Sequence, residues 1–363
     1  MDREQFFGKL AALDEERLKK ALWNLYWRGS AAVRQRIEAE LAPPADRATR
    51  TAKARVEPGQ VLEEVRGFVE LARSGAYLGG DRRVSPRERP RWRYTFQRLA
   101  GDVRAALHAE EVGEACEAME LLIDLACQMK GGEYFRSDDP VAAARFVVSD
   151  AVALLWHVLR EEYGFAGFAQ RAAAQLVRWE SPYGWTRHGD GSVGDREVPL
   201  AEVLAGMLPD PDAWVGFADA YLDVLDGYPG AGEASAERSR WSVDGSARDY
   251  VRGRRASDLA VWHHLLLDRL VGGEGEDRLD RWVDHWALGG PEVVFLRARL
   301  VHQRGDLTRA RELVVDGLKE LPGHVELLEF AEEIGAQLPP RAAQIVAERA
   351  RVTELIQGIG VDG

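Results

Sequence analysis

Between Pro291 and Pro322 the chain reads PEVVFLRARLVHQRGDLTRARELVVDGLKELP. Val294, Ala298 and Val301 recur at helical spacing, Gly305 and Asp306 interrupt the run, and Leu307, Ala310, Val314, Gly317 and Leu318 carry a second stripe. Two amphipathic helices joined by so short a turn bury their stripes against each other, which makes a helical hairpin with small residues where the helices cross. The same period recurs along most of the chain, so the expected fold class is all-α.

A length of 363 residues allows two or three domains, or one continuous helical array. Cys116 and Cys127 lie eleven apart on one apolar helix face. They form neither a disulfide framework nor a CxxC metal motif, and read as packing residues of a reducing compartment. The opening MDREQFFGKLAALDEERLKK has no apolar run of the signal-peptide kind and carries acidic residues that transit peptides avoid, so a cytoplasmic location is expected. The most apolar run, Val141 to Leu159, is interrupted by Arg145 and Asp150 and reads as a core helix, so no membrane segment is expected. Of the net charge of −12, residues 1 to 100 carry about +7 and the remainder about −19. An acidic body discourages general nucleic-acid binding, while a basic end suits an acidic partner or a phosphate backbone.

Residues 1–41 read as a small helical unit patterned by Leu18, Leu22, Leu25 and Tyr26, with Asp14 capping its second helix, Gly29 stopping it and Ser30 capping a third. Trp23, Tyr26 and Trp27 form a large aromatic cluster for so short a unit, read as packing against the rest of the chain, with an exposed docking face as the alternative. Residues 42–59 read as a linker, and 60–226 as a middle helical domain beginning with Val61, Val65, Phe68 and Ala72 on one face. Helices are expected from Pro90 to about His108, from Val112 to Met129, from Asp139-Pro140 to about Glu162, and again through Phe165, Phe168, Ala172, Leu176 and Trp179. The segment 181–199 lacks helical period and reads as a loop, before helices at 200–207 and 211–226. A second polar breaker, 227–256, separates the middle region from C-terminal hairpins at 257–363.

The hairpin resembles the tetratricopeptide repeat, with Ala298, Gly305, Ala310, Gly317 and Pro322 on that repeat's small-residue, turn and closing-proline positions. The resemblance covers roughly a tenth of the chain securely. It implies antiparallel hairpins stacked as an α-solenoid, with a concave groove lined by the first helix of each hairpin. In this unit those residues are Glu292, Phe295, Arg299 and His302. Arg299 would pair with a partner's carboxylate, and Phe295 would supply apolar anchor area. The last helix, from Arg341, would cap the array.

Candidate chemistry is sparse. Arg82, Arg83, Arg87, Arg89, Arg91, Arg93 and Arg98 interleave with Trp92, Tyr94 and Phe96 over residues 82–98. Guanidinium groups grip phosphate and aromatic rings stack on bases, although the spacing of Trp92, Phe96, Leu99 and Val103 also fits the buried face of a helix. His188, Asp190, Asp195 and Glu197 share the loop 181–199, but neither the calcium-loop pattern nor a phosphate loop is met. His263, His264, Asp268 and His285 form the one histidine-rich group, read as packing residues because neighbouring helical histidines diverge by about 100 degrees. No nucleophile elbow, P-loop, dinucleotide fingerprint or kinase motif occurs. The expected function is a non-catalytic scaffold or adaptor that binds a protein partner without a cofactor. The alternatives are a nucleic-acid-associated regulator working through the arginine stretch, and an unrecognised enzyme using the loop or the histidine group.

Overall fold

The structure is a computed structural model that describes residues 14–28, 57–79, 81–129, 133–186, 193–228 and 245–359. The chain divides into two compact units, Met1–Glu57 and Pro58–Gly363, so the division falls inside the expected linker. Fifteen helices and two short 3-10 turns make up the regular structure of the described residues, with no strand among them. The all-α expectation holds.

In the first unit, α1 (Glu15–Arg28) starts where Asp14 accepts a hydrogen bond from the Arg17 N–H at 2.8 Å, the cap that the sequence indicates. The remaining expected helices of that unit, and residues 42–56 of the linker, lie outside the described residues.

The second unit opens with α2 (Pro58–Arg73), α3 (Trp92–Ala106) and α4 (Gly113–Gln128). Their predicted stripes are all buried, from Val61, Val65 and Phe68 to Trp92, Phe96, Leu99 and Val103, and to Cys116, Met119, Ile123 and Cys127. Phe68 meets Tyr77, Phe96 and Phe135, and Trp92 stacks on Phe135 with centroids 4.0 Å apart. Both thiols are buried without a disulfide, and burial pushes that of Cys116 up to about 11.

The single helix expected from Pro140 is two. α5 (Pro140–Ala144) begins at the predicted Asp139 cap and stops at Arg145, whose φ of 52° is left-handed. The chain then turns so that Phe146 and Val147 are buried, and α6 (Val148–Thr186) starts afresh. Its first N–H groups need acceptors. Glu197 supplies them from 48 residues away, accepting from Val148 N at 2.7 Å, Ser149 N at 2.9 Å and Ser149 Oγ at 2.6 Å. α6 is itself broken at Gly164 (φ 65°, ψ −178°), matching the expected stop near Glu162 and restart at Phe165. A straight helix would hold Trp156 and Gln175 about 28 Å apart. Instead Trp156 Nε1 donates to Gln175 Oε1 at 2.8 Å, so Gly164 folds the two arms back on each other. A polar ladder continues to α4, where Gln175 donates to Glu120 and Trp179 Nε1 to Asp124, both at 2.8 Å.

α7 (Leu200–Ala205) and α8 (Pro211–Asp226) follow, the latter capped by Asp210. α9 (Gly245–Asp258) occupies the second half of what reads as a polar breaker, so that breaker is shorter than the sequence suggests. α10 (Ala260–Leu270) then returns to α8. Trp262 stacks on Trp214 with centroids 5.7 Å apart, Phe217 meets its edge, and Tyr221 OH lies 2.7 Å from His263 Nε2. The middle and C-terminal regions therefore share one core across residues 227–256.

α11 (Asp277–Val283), α12 (Gly290–Gln303), α13 (Leu307–Glu320), α14 (Val325–Glu333) and α15 (Pro340–Ile359) complete the chain. α12 and α13 form the predicted hairpin. Gly305 takes a φ of 91°, Asp306 N donates to Val301 O at 3.1 Å, and the Asp306 side chain caps α13 by accepting from Arg309 N. Ala298, Ala310, Val314 and Leu318 are buried, and a methyl group on Gly317 would sit 2.9 Å from Val294 Cγ1.

Candidate interaction site

Along α12, the four residues that the resemblance assigns to a groove turn toward neighbouring helices. His264 of α10 sits between two of them. Its Nε2 is 3.1 Å from Glu292 Oε1, at ion-pair distance but off the line of a hydrogen bond, and its Nδ1 accepts from Arg299 Nη1. A guanidinium only donates, so Nδ1 is the acceptor of this imidazole and Nε2 carries the proton toward Glu292. Arg299 Nη2 also donates to Asp268 at 2.9 Å, where Gln303 joins at 3.1 Å. Phe295 meets Phe330 edge-on at 5.6 Å and the His264 ring at 5.3 Å, and His302 meets Phe330 from another side. Glu292 is 4% exposed and Phe295 8%, since α10 and α14 lie over the face an open groove would need. Arg299 and His302 keep partial exposure beside exposed Gln303.

The histidine group is likewise spent on structure. His263 is fully buried against Tyr221, and burial pushes its pKa down to about 3. His285 Nδ1 accepts from Ala287 N at 3.1 Å, so Nε2 donates to Asp226 at 3.0 Å, a bond that holds the Asp226 carboxyl below its usual range. Among the described residues, no three histidine, cysteine, aspartate or glutamate side chains converge as metal ligands. Of the segment 181–199 expected to be a loop, residues 181–186 instead continue α6 as helix; His188 and Asp190 lie outside the described residues, Asp195 sits in a short 3-10 turn, and Glu197 is the cap of α6.

The arginine stretch separates into two sets. Arg83 is tied to Asp81, Arg89 donates to the Asp81 carbonyl, and Arg98 bridges Glu64 and Asp102 at 2.8 and 2.9 Å. Arg82, Arg87, Arg91 and Arg93 are exposed and form no ion pair among the described residues. Trp92 and Phe96 belong to the core, as their spacing indicates, whereas Tyr94 is 57% exposed.

On α1, Trp23 is 58% and Trp27 72% exposed, with ring centroids 5.9 Å apart, and Lys19 and Lys20 are exposed beside them. The aromatic cluster is therefore open in its own unit. Its exposure has no local signal, because the same four-residue spacing serves a buried stripe equally well. Glu197 also escaped the reading in its actual role, since a cap 48 residues distant from its helix leaves no trace in the spacing. No protein-family model matches this chain, and no curated protein or solved structure matches it either.

Proposed function

We propose that this protein is a non-catalytic, protein-binding scaffold built from helical hairpins. The observation that carries this reading is the pair of exposed, stacked tryptophans on α1. Two indoles left open in one small unit hold apolar area out of place on a free surface, and tryptophan is the residue that most often anchors a protein interface. Lys20 beside them favours a partner whose contact surface is acidic. On the hairpin unit, the partly exposed edge of α12 at His302 and Gln303 is the second surface we assign to a partner, while Glu292, Phe295 and Arg299 hold α12 to α10 and α14.

The test replaces Trp27 with a photo-crosslinking phenylalanine analogue in the intact chain and identifies the adducts formed in cells. A discrete acidic partner, lost when Trp23→Ala is added, supports the reading. Adducts that are diffuse, or unchanged by Trp23→Ala, sink it. Point variants are preferable to removal of residues 257–363, because α10 shares its core with α8.

A further inference from the structure

Cations that form no ion pair among the described residues gather where α3 and α5 meet, with Arg91 acting only at longer range on the Glu88 carboxylate. Gln97, one turn beyond Arg93 on α3, donates to Ala143 O of α5 at 3.4 Å, and α5 ends at Arg145 two residues later. This brings Arg145, 52 positions on in the sequence, to the end of α3 that carries Arg91 and Arg93. Arg145 is exposed, and it is the one non-glycine residue with positive φ among the described residues. A left-handed conformation is unfavourable for a residue bearing Cβ, and glycine would avoid that cost. A cation stands there instead. Arg93 Nη2 donates to Tyr94 OH at 3.4 Å, with the guanidinium carbon 5.0 Å from the ring centroid. That bond first, and then the charges of Arg93 and Arg145, hold the Tyr94 hydroxyl below its ordinary range. Arg91, Arg93 and Arg145 form no ion pair among the described residues, in a chain that carries twelve more carboxylates than cations.

We infer that the face formed by Arg91, Arg93, Tyr94 and Arg145 binds single-stranded nucleic acid, the guanidiniums on its phosphates and the Tyr94 ring against a base. Separate guanidiniums suit successive phosphates of one strand, and the exposed ring suits a base that no complementary strand conceals. A double helix offers only the phosphates to such a surface. The site is distinct from the indoles of α1 and does not depend on the scaffold reading.

The intact chain would be titrated into a fluorescein-labelled oligouridylate of about 20 nucleotides, and into the matching oligodeoxythymidylate, following anisotropy between roughly 50 and 200 mM salt. Wild type should bind at the lower salt. The double variant Arg93→Gln, Arg145→Gly should weaken binding at least about tenfold and lower the salt slope by roughly 1.4, the release expected for two phosphate contacts on a single strand. Tyr94→Leu should weaken binding by roughly tenfold with the slope unchanged, as loss of stacking without loss of charge requires. Arg83→Gln, whose guanidinium is already tied to Asp81, should leave affinity within about twofold. Arg145→Gly also controls for folding, because glycine accepts this backbone and thermal unfolding should not occur earlier. Absence of wild-type binding at low salt, or equal binding by the double variant, overturns the proposal. So does equal affinity for polyglutamate with no effect of Tyr94→Leu, which would identify a general polyanion surface.

Discussion

Arginines stand both at the start of α3 and along α12, and the two places use them in opposite ways. On α12 every guanidinium at the described surface is a strut: Arg297 reaches Val283 O and Asp284, Arg299 reaches His264 and Asp268, and Arg304, just past the helix end, reaches Glu276 and Asp280. Arg252 and Arg255 of α9 extend the pattern by donating to the carbonyls of Leu288 and Ala287 ahead of α12. At the start of α3, Arg91 and Arg93 are exposed and form no ion pair among the described residues, and Arg145 adds a further cation near Tyr94. The residue type is the same in both places. What differs is whether a neighbouring helix presents carboxylates or chain-end carbonyls at the right height. A guanidinium that finds them spends its five donors on the fold, and one that does not keeps them for a ligand.

That contrast can be broken most severely where two backbones meet in the C-terminal region. Gly290, at φ 75°, would place a Cβ 2.9 Å from the Cα of Gly253. Gly290→Ala therefore combines left-handed strain with a backbone collision that no rotamer relieves, and should cost about 3 kcal/mol in urea unfolding. An unchanged midpoint would show that α9 and α12 do not need this contact.

The next largest effect comes from acid. His263 is neutral in the fold, with its pKa pushed to about 3 by burial, whereas in the unfolded chain it titrates near 6.5. The unfolded state therefore binds the extra proton as pH falls, so this contribution is complete above about pH 6.5 and is lost progressively down to about pH 3. Between pH 7 and 5 it should remove about 2 kcal/mol of stability. A flat profile over that interval, from urea midpoints at several pH values, would mean that the imidazole is protonated within the fold.

Two alanine substitutions then sharpen the arginine comparison directly. Arg299→Ala strips donors from His264 and Asp268 and should cost about 1.5 kcal/mol. Arg93→Ala touches no described carboxylate and should stay within about 0.5 kcal/mol. Equal costs at the two sites would remove the distinction between strut and free cation.

Much of the fold is legible in the residues. The stripes on α2, α3 and α4, the caps at Asp14 and Asp139, the break near Gly164 and the small-residue crossing of α12 with α13 all follow from local spacing. The short α5 does not. A run with Pro140 at its start and apolar residues to Leu159 gives no reason to stop at Arg145, and the reason is Glu197, which offers α6 a new beginning. The candidate sites were less legible still. Phe295 occupies the position the resemblance gives to an anchor, yet Phe330 and His264 close over it. Arg145 is one more cation in an apolar run until α5 is laid against α3.

By itself, then, the sequence determined that this chain is helical, which face of most helices turns inward, and where two helices approach closely enough to require alanine or glycine. Those properties depend on residues within a few turns of one another, and the helical period records them. Only the tertiary structure decided which charges are spent and which remain, where α6 begins, and that the middle and C-terminal regions share a core. Each of these depends on pairs tens of residues apart, such as Glu197 with Ser149, Tyr221 with His263 and Arg299 with Asp268, and such pairs exist only once helix axes have taken their angles.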